Sequence, residues 1–502
     1  MVEKSTLVIG VAGAVVAGGV VAYLLRRSPP PGRKLNPFSA KMAEGVFVEK
    51  VGAPTGAIST ALYFSELPSP AELQALLRDK LLSFDVFTSV FRSGRWVPVE
   101  VDLAAHVFEA TVSSDAELLA YCETEMVTAL RNGAGAPLWE VHTVRNTGGG
   151  RSMLFFRIEH AIGDGVALNQ VLSRLATDSK GAPLPPASYT RPAKPPRSLL
   201  ALLLEGLCAA LKYAGSPMGR FDSDTPLVPA RAERNPLRFK GRRKIVLMPE
   251  HGLSLIKRIK EAATASRRGS GAASFTVNDV IFAAAAGTLR RYCLATAPAE
   301  PLDGCLVRAL SPIAFPRKPD APLANDWCFV DVPMPCGLAT MAQRLEASHA
   351  AFAAVKGGPE ALVAKTFTDL NCGNPSWMFS HAAQQVKRPR HPMHPGCNPN
   401  PNPKPNPNPT PNPTQVMQRY SLVFSNVPGP TAHVHVCGKQ LLGLQAFYPN
   451  LIMQGLCVSY AGTMWMNFIV DPDVVVNHET LPALYMDELR ALAAHFGVDP
   501  DA

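Results

Sequence analysis

His160, Asp164 and Gly165 close the run Met153-Leu154-Phe155-Phe156-Arg157-Ile158-Glu159-His160-Ala161-Ile162-Gly163-Asp164-Gly165. Histidine is the side chain best matched to moving a proton at neutral pH. The apolar run predicts a buried strand that carries an imidazole to its own end. Asp-Gly then predicts a tight turn, since Gly tolerates positive φ and Asp bonds nearby amides. Asp164 so placed would hold loop amides or an arginine rather than carry a proton. Gly165 would let the backbone turn closely. Alone, His-x-x-x-Asp-Gly is a weak pattern, because short patterns arise by chance.

Glu159 has two settings. Neighbours on a strand point to opposite faces. A strand that persists to His160 turns Glu159 away from the imidazole. A strand that ends earlier lets the carboxylate approach the ring, raise its pKa and weaken it as a base. Pairing with a basic side chain is the plain alternative.

Three further segments stand in order around this one: Pro137-Leu138-Trp139-Glu140-Val141, Thr276-Val277-Asn278-Asp279-Val280 at the head of an Ala-rich stretch, and Ser425-Asn426-Val427-Pro428-Gly429-Pro430. The first reads as packing beneath the histidine loop. Asn278 reads equally as a helix N-cap or as a polar group facing the site. In the last, Asn426 and Gly429 would shape a turn made rigid by Pro428 and Pro430. Together with His160, Asp164 and Gly165, these segments resemble the wax ester synthase/diacylglycerol acyltransferase family, in its plant and algal type. The resemblance runs from about Asn36-Pro37-Phe38-Ser39 to the C-terminus. The family's hallmark is His-His-x-x-x-Asp-Gly, and Glu159 stands at the first His.

The resemblance implies a two-lobed α/β fold of chloramphenicol acetyltransferase type, with a tunnel between the lobes and His160 in mid-tunnel. It implies transfer of an acyl group from acyl-CoA, as co-substrate, to a long-chain alcohol or diacylglycerol, with no bound cofactor and no metal. His160 would be the catalytic base; Asp164, Gly165, Asn278 and Glu159 would support the site. Two alternatives remain open: a non-catalytic descendant that binds acyl lipids or partners, and an acyltransferase with a soluble acceptor. Intact His160, Asp164, Gly165 and Asn278 argue against the first. The N-terminal apolar stretch argues against the second.

Composition narrows the classes further. The 502 residues are 47% hydrophobic, enough for one large core or two domains. The net charge of +9 would suit CoA phosphates or an anionic membrane, or be scattered surface charge. No interleaving of aromatic and basic residues suggests nucleic acid. The ten cysteines form no Cys-x-x-Cys pair, which predicts reduced thiols in a cytosol-facing domain. Serine-hydrolase, P-loop and zinc-protease motifs are missing.

Residues 5–25 are nearly all apolar and uncharged, followed by Arg26, Arg27, Arg33 and Lys34. At ~1.5 Å per residue this just spans a hydrocarbon core. It predicts a single transmembrane anchor with the rest of the chain cytosolic. The membrane expected is the endoplasmic reticulum, where lipid acceptors are supplied. Residues 36–180 then read as a first α/β lobe, 181–240 as a proline-marked crossover, and 241–502 as a second lobe. Within the first, strands are expected at 96–101, 139–144 and 153–158, and a helix at 115–131. The Leu/Ala-rich stretch 198–213 predicts a packed helix, with a lipid-facing role the lesser reading. Helices are expected at 252–266 and 277–292, and strands at 305–310, 328–334, 420–425 and 463–470. The Pro-Asn tract 398–414 has no apolar residues to bury and predicts a disordered insertion.

Overall fold

The computed structural model describes residues 32–45, 55–132, 135–185, 198–215, 220–234, 237–268, 271–319, 321–373 and 417–500. The anchor expected at 5–25 and the Pro-Asn tract at 398–414 lie outside the described residues. No described helix is long and apolar enough to cross a membrane.

Ser152–Glu159 forms a strand that is buried at every residue up to its last. Near-continuous apolar sequence is what a strand covered on both faces requires. It lies inside a five-stranded sheet ordered Gly443–Phe447, Ala57–Phe64, Ser152–Glu159, Trp139–Asn146, Val107–Val112. Ala57 pairs with Glu159 and Trp139 with Ile158, so the histidine end is fixed by neighbours on both sides.

The second sheet is mixed. Its order is Trp327–Pro333, Arg308–Ala314, Leu422–Pro428, Met453–Tyr460, Thr463–Val470, Lys244–Leu247, with His251–Gly252 also pairing on Thr463–Val470. Behind it lies the helix Val277–Thr296, opened by a capping box between Thr276 and Asp279. Ala283–Ala286 are essentially inaccessible. Small side chains let this helix be packed on all sides, by Leu253–Ser266, Met341–Gly357 and Leu481–His495. Each sheet carries its own apolar core, and a smaller cluster holds Leu237, Phe239, Tyr420, Leu451 and Ile452.

Several expectations change. The stretch 241–502 does not stay in one lobe, because Gly443–Phe447 pairs with Ala57–Phe64 and completes the first sheet. The helix expected to reach residue 131 ends at Met126. The strand expected at 96–101 is Arg95–Pro98, and that expected at 305–310 is Arg308–Ala314, preceded by a turn closed by Cys305 N on Leu302 O. Asn278 is not an N-cap: Thr276 is, and Asn278 sits in the first turn. Leu199–Gly215 is helical, but it is not packed on all sides. Leu200, Leu203, Leu204, Leu207 and Leu211 are each 56–68% exposed.

Candidate active site

The strand ends at Glu159, and the chain turns at once. Ile162 N donates to Glu159 O at 2.9 Å, and His160 N donates to Gly56 O at 3.2 Å. Ala161 and Ile162 are buried under the turn. His160 is thereby held at the sheet's edge, partly accessible. Its ring lies against Trp327 at 5.5 Å and Tyr448 at 5.6 Å between centroids. Both come from the second half of the chain.

Asn325 determines which ring nitrogen of His160 is free. Trp327 Nε1, which can only donate, lies 3.1 Å from Asn325 Oδ1. That contact identifies the amide oxygen. His160 Nδ1 lies 3.0 Å from the same oxygen, so Nδ1 carries the hydrogen. Nε2 of the neutral ring is then an unprotonated lone pair, the form a general base needs. Asn325 Nδ2 donates back to His160 O at 2.5 Å and to Ser39 Oγ at 3.1 Å. Asn325 O accepts from Asn36 Nδ2 at 2.6 Å. Asn325 is thus fixed at every polar atom of its side chain.

Burial pushes the His160 pKa below the ordinary histidine value, against the pull of the Asp164 charge and the Asn325 hydrogen bond. Burial thus favours the neutral ring. Glu159 behaves in the opposite sense: burial raises its carboxyl to about 7, opposed by the amides of Gly56 and His160 and by Arg157. Among the described residues Glu159 makes no ion pair. Its neighbour Arg157 is committed elsewhere, donating to Glu125 at 3.3 Å and to Glu140. Asp164, not Glu159, is the carboxylate whose charge reaches the imidazole.

Asp164 caps the helix Gly165–Leu175, accepting from Ala167 N at 3.0 Å. Its second oxygen accepts from Arg317 Nη2 at 2.6 Å and from Asp326 N at 2.9 Å. Arg317 also donates to Ala324 O at 3.0 Å. Asp164 therefore pins the segment that carries Asn325. Gly165 does not adopt positive φ. Its role is close approach: an added Cβ would lie 3.2 Å from Val427 Cγ2 of the second sheet. Asn169 Nδ2 adds a bond to Pro428 O at 2.7 Å across the same seam.

Asn278 is bonded to Asn426, whose Nδ2 donates to its Oδ1 at 3.2 Å, and not to His160. Gly429 lies close against Ser459 O. Trp139 is buried under the first sheet's edge, stacked on His106 at 4.2 Å and donating to Phe87 O at 2.9 Å.

Sequence reasoning missed Asn325, Trp327, Tyr448, Ser39 and Arg317. For Asn325 and Trp327 the available signal was Asn325-Asp326 ahead of the apolar run Trp327-Cys328-Phe329-Val330; Ser39, Arg317 and Tyr448 carried none. Glu125, Glu140 and His142 are close enough together to hold a cation. That place is taken by the Arg157 guanidinium, while His142 bonds Glu140 at 3.0 Å and Tyr121 at 2.6 Å.

Two α/β lobes that meet at a seam define the fold class, and solved structures share that fold. A wax ester synthase/diacylglycerol acyltransferase from Marinobacter aquaeolei VT8 superposes with a TM-score of 0.58 at 18% identity, covering 93% of this chain and all of that one. The first condensation domain of the CDA synthetase gives 0.51 at 13%, covering 95% and 98%. At these identities the likeness is one of fold. The wax ester synthase/diacylglycerol acyltransferase catalytic domain matches residues 88–298, and the WS/DGAT C-terminal domain matches residues 323–493. The chain belongs to the WS/DGAT family. A putative diacylglycerol O-acyltransferase of Mycobacterium bovis is 28% identical over 249 residues, 44% of this chain and 49% of that protein. Another, of Mycobacterium tuberculosis, is 25% identical over 360 residues, 68% and 64%. The chain thus spans about half to two thirds of the length of these relatives.

Proposed function

We propose that the protein transfers an acyl group from acyl-CoA to the hydroxyl of a long-chain alcohol or a diacylglycerol, giving a wax ester or a triacylglycerol. The single observation that carries this is the orientation of His160: Nδ1 is bound to Asn325 and Nε2 is left as the free lone pair. Nε2 takes the hydroxyl proton as the oxygen attacks the thioester carbonyl. It then returns that proton to the departing CoA thiolate. Thioesters are already activated, so the reaction needs no covalent enzyme intermediate and no cofactor. A positioned base of this kind contributes about 100- to 10,000-fold.

Asn325 orients the base, and Asp164 holds Asn325. Gly165 lets the first lobe close on Val427. Asn278 and Asn426 form a polar pair on the second lobe, suited to steadying the acyl donor. Glu159, standing where the family has a histidine, tunes the surroundings of the base rather than replacing it. Family membership supports the acyltransferase reading, and the mycobacterial relatives' names support diacylglycerol as an acceptor.

Residues 5–25 would anchor the enzyme in the endoplasmic reticulum membrane, with the lobes in the cytosol where acyl-CoA is supplied. The support is their uncharged apolar sequence and the arginines that follow. Purified protein or microsomes are offered one acyl-CoA with hexadecanol or with diacylglycerol, and free CoA and lipid product are followed together. Acceptor-dependent CoA release matched by ester is the expected result. Release without ester, or no release with either acceptor, overturns the reading.

A further inference from the structure

The helix Leu199–Gly215 is built inside out. Its inward face is Gly206, Ala209 and Tyr213: Ala209 is buried, Gly206 lies over Pro359, and Tyr213 meets Phe367 at 6.3 Å. Its leucines point the other way. Leu200, Leu203, Leu204, Leu207 and Leu211 follow the helical spacing of three and four, and all are more than half exposed. Leu362 of the neighbouring helix Glu360–Gly373 is 62% exposed as well. Together they expose on the order of 500 Å² of apolar surface, in the range where exposed patches mark interaction sites.

We propose that this leucine face is a seat for an anionic lipid bilayer. A helix with one broad apolar face and little other apolar content at its flanks lies in the plane of a membrane surface. The charges agree. The only acidic residue of the helix, Glu205, reaches inward to Gly358. Lys212, near its C-terminal end, is paired with Glu360 at 2.7 Å, and the three basic residues Arg191, Lys194 and Arg197 precede the helix in the sequence with no acidic residue among them. Among the described residues of this helix, no acidic side chain stands among the exposed leucines. Its position agrees too. Helix Glu360–Gly373 packs on the leucine helix, on strand Trp327–Pro333 and on helix Pro37–Ala43. Trp327 lies against His160, and Asn36 bonds the backbone of Asn325. A lipid leaving a bilayer on the leucine face is one helix away from the base.

Cys208 is exposed on the same helix and provides the probe. In the full chain, Cys305, Cys372, Cys397 and Cys437 are changed to serine and Cys208 is labelled with bimane. Vesicles of phosphatidylcholine, with and without phosphatidylserine, carry a nitroxide near the lipid headgroup. The seat predicts a blue shift and nitroxide quenching, both stronger with phosphatidylserine. It also predicts that Leu203→Gln with Leu207→Gln weakens the quenching titration by about ten-fold or more and leaves Tm unchanged. Emission that stays constant at saturating vesicles overturns the proposal, even if residues 5–25 carry the protein into the vesicle fraction. A shift that follows protein concentration without lipid overturns it in favour of a second copy of the chain. A shift already present in the lipid-free monomer assigns the face to the chain's own N-terminal segment. The readout requires no turnover, so it stands or falls apart from acyl transfer.

Discussion

Replacing Asn325 removes the group that faces His160 Nδ1. Asn325→Ala should lower kcat by about 10- to 100-fold, by analogy with losing the outer partner that orients a metal-bound histidine, with a smaller change in KM. Steady-state kinetics on both variants check it. Asn325→Asp should act differently. A carboxylate at that place favours the imidazolium, so the acid limb of kcat/KM should move up in pH. In the unaltered protein burial lowers the His160 pKa. The base therefore stays neutral below the ordinary histidine value, and its acid limb should lie below pH 6.5. Glu159 titrates in the opposite sense. Its folded carboxyl is raised to about 7 from 4.5. Its contribution to stability is present in full below the unfolded value and is lost as pH rises through the folded one. Glu159→Gln should therefore gain stability relative to the unaltered chain at pH 8 compared with pH 4, which urea titration at the two pH values measures. His160 and Asp164 were legible as types at a spacing. Asn325 was not, because it lies 165 residues away and reaches the ring only through the fold.

At the scale of elements, Asp164 ties a turn to a distant segment, and Arg317 is its buried partner. Asp164→Ala leaves that guanidinium unpaired and removes a helix cap, so it should cost about 3–5 kcal/mol and lower Tm. Asp164→Asn should lose less, keeping a cap and more activity than His160→Ala. Gly443 gives a second test. A Cβ there would meet Trp465 at 2.3 Å, and Trp465 stacks on Tyr63 at 6.0 Å. Gly443→Ala should destabilise by about 1–3 kcal/mol, and shrinking Trp465 to Leu in the same chain should recover part of the loss. Length and apolar content located Ser152–Glu159, Trp139–Asn146, Val277–Thr296 and Thr463–Val470 well, since each is long and mostly buried. It left out Ala57–Phe64, Val107–Val112, Gly443–Phe447 and Met453–Tyr460. These carry mixed small and polar residues whose burial is decided by neighbouring strands, not by their own pattern. The leucine helix misled for the reverse reason: apolar content predicts burial only when something covers it.

At the scale of the molecule, two lobes were legible from the order of segments together with the family resemblance. The exchange of Gly443–Phe447 into the first sheet was not, since nothing local marks a strand as belonging to the other lobe. That exchange makes the seam part of the fold: Tyr448, next in the chain, lies against His160. The Pro-Asn tract belongs to this scale as well. Loop closure depends weakly on length, so replacing residues 398–414 by a short Gly/Ser linker should leave Tm and turnover near their original values; loss of either would make the tract part of the working structure. The central claim is that His160 Nε2 moves the proton between acceptor and thiolate across the seam. Its most direct test is acyl-CoA turnover by His160→Ala, with folding followed by circular dichroism and thermal melting. Acceptor-dependent CoA release should fall by about 100- to 10,000-fold while the melting profile is retained. Near-original turnover by the folded variant would contradict the claim.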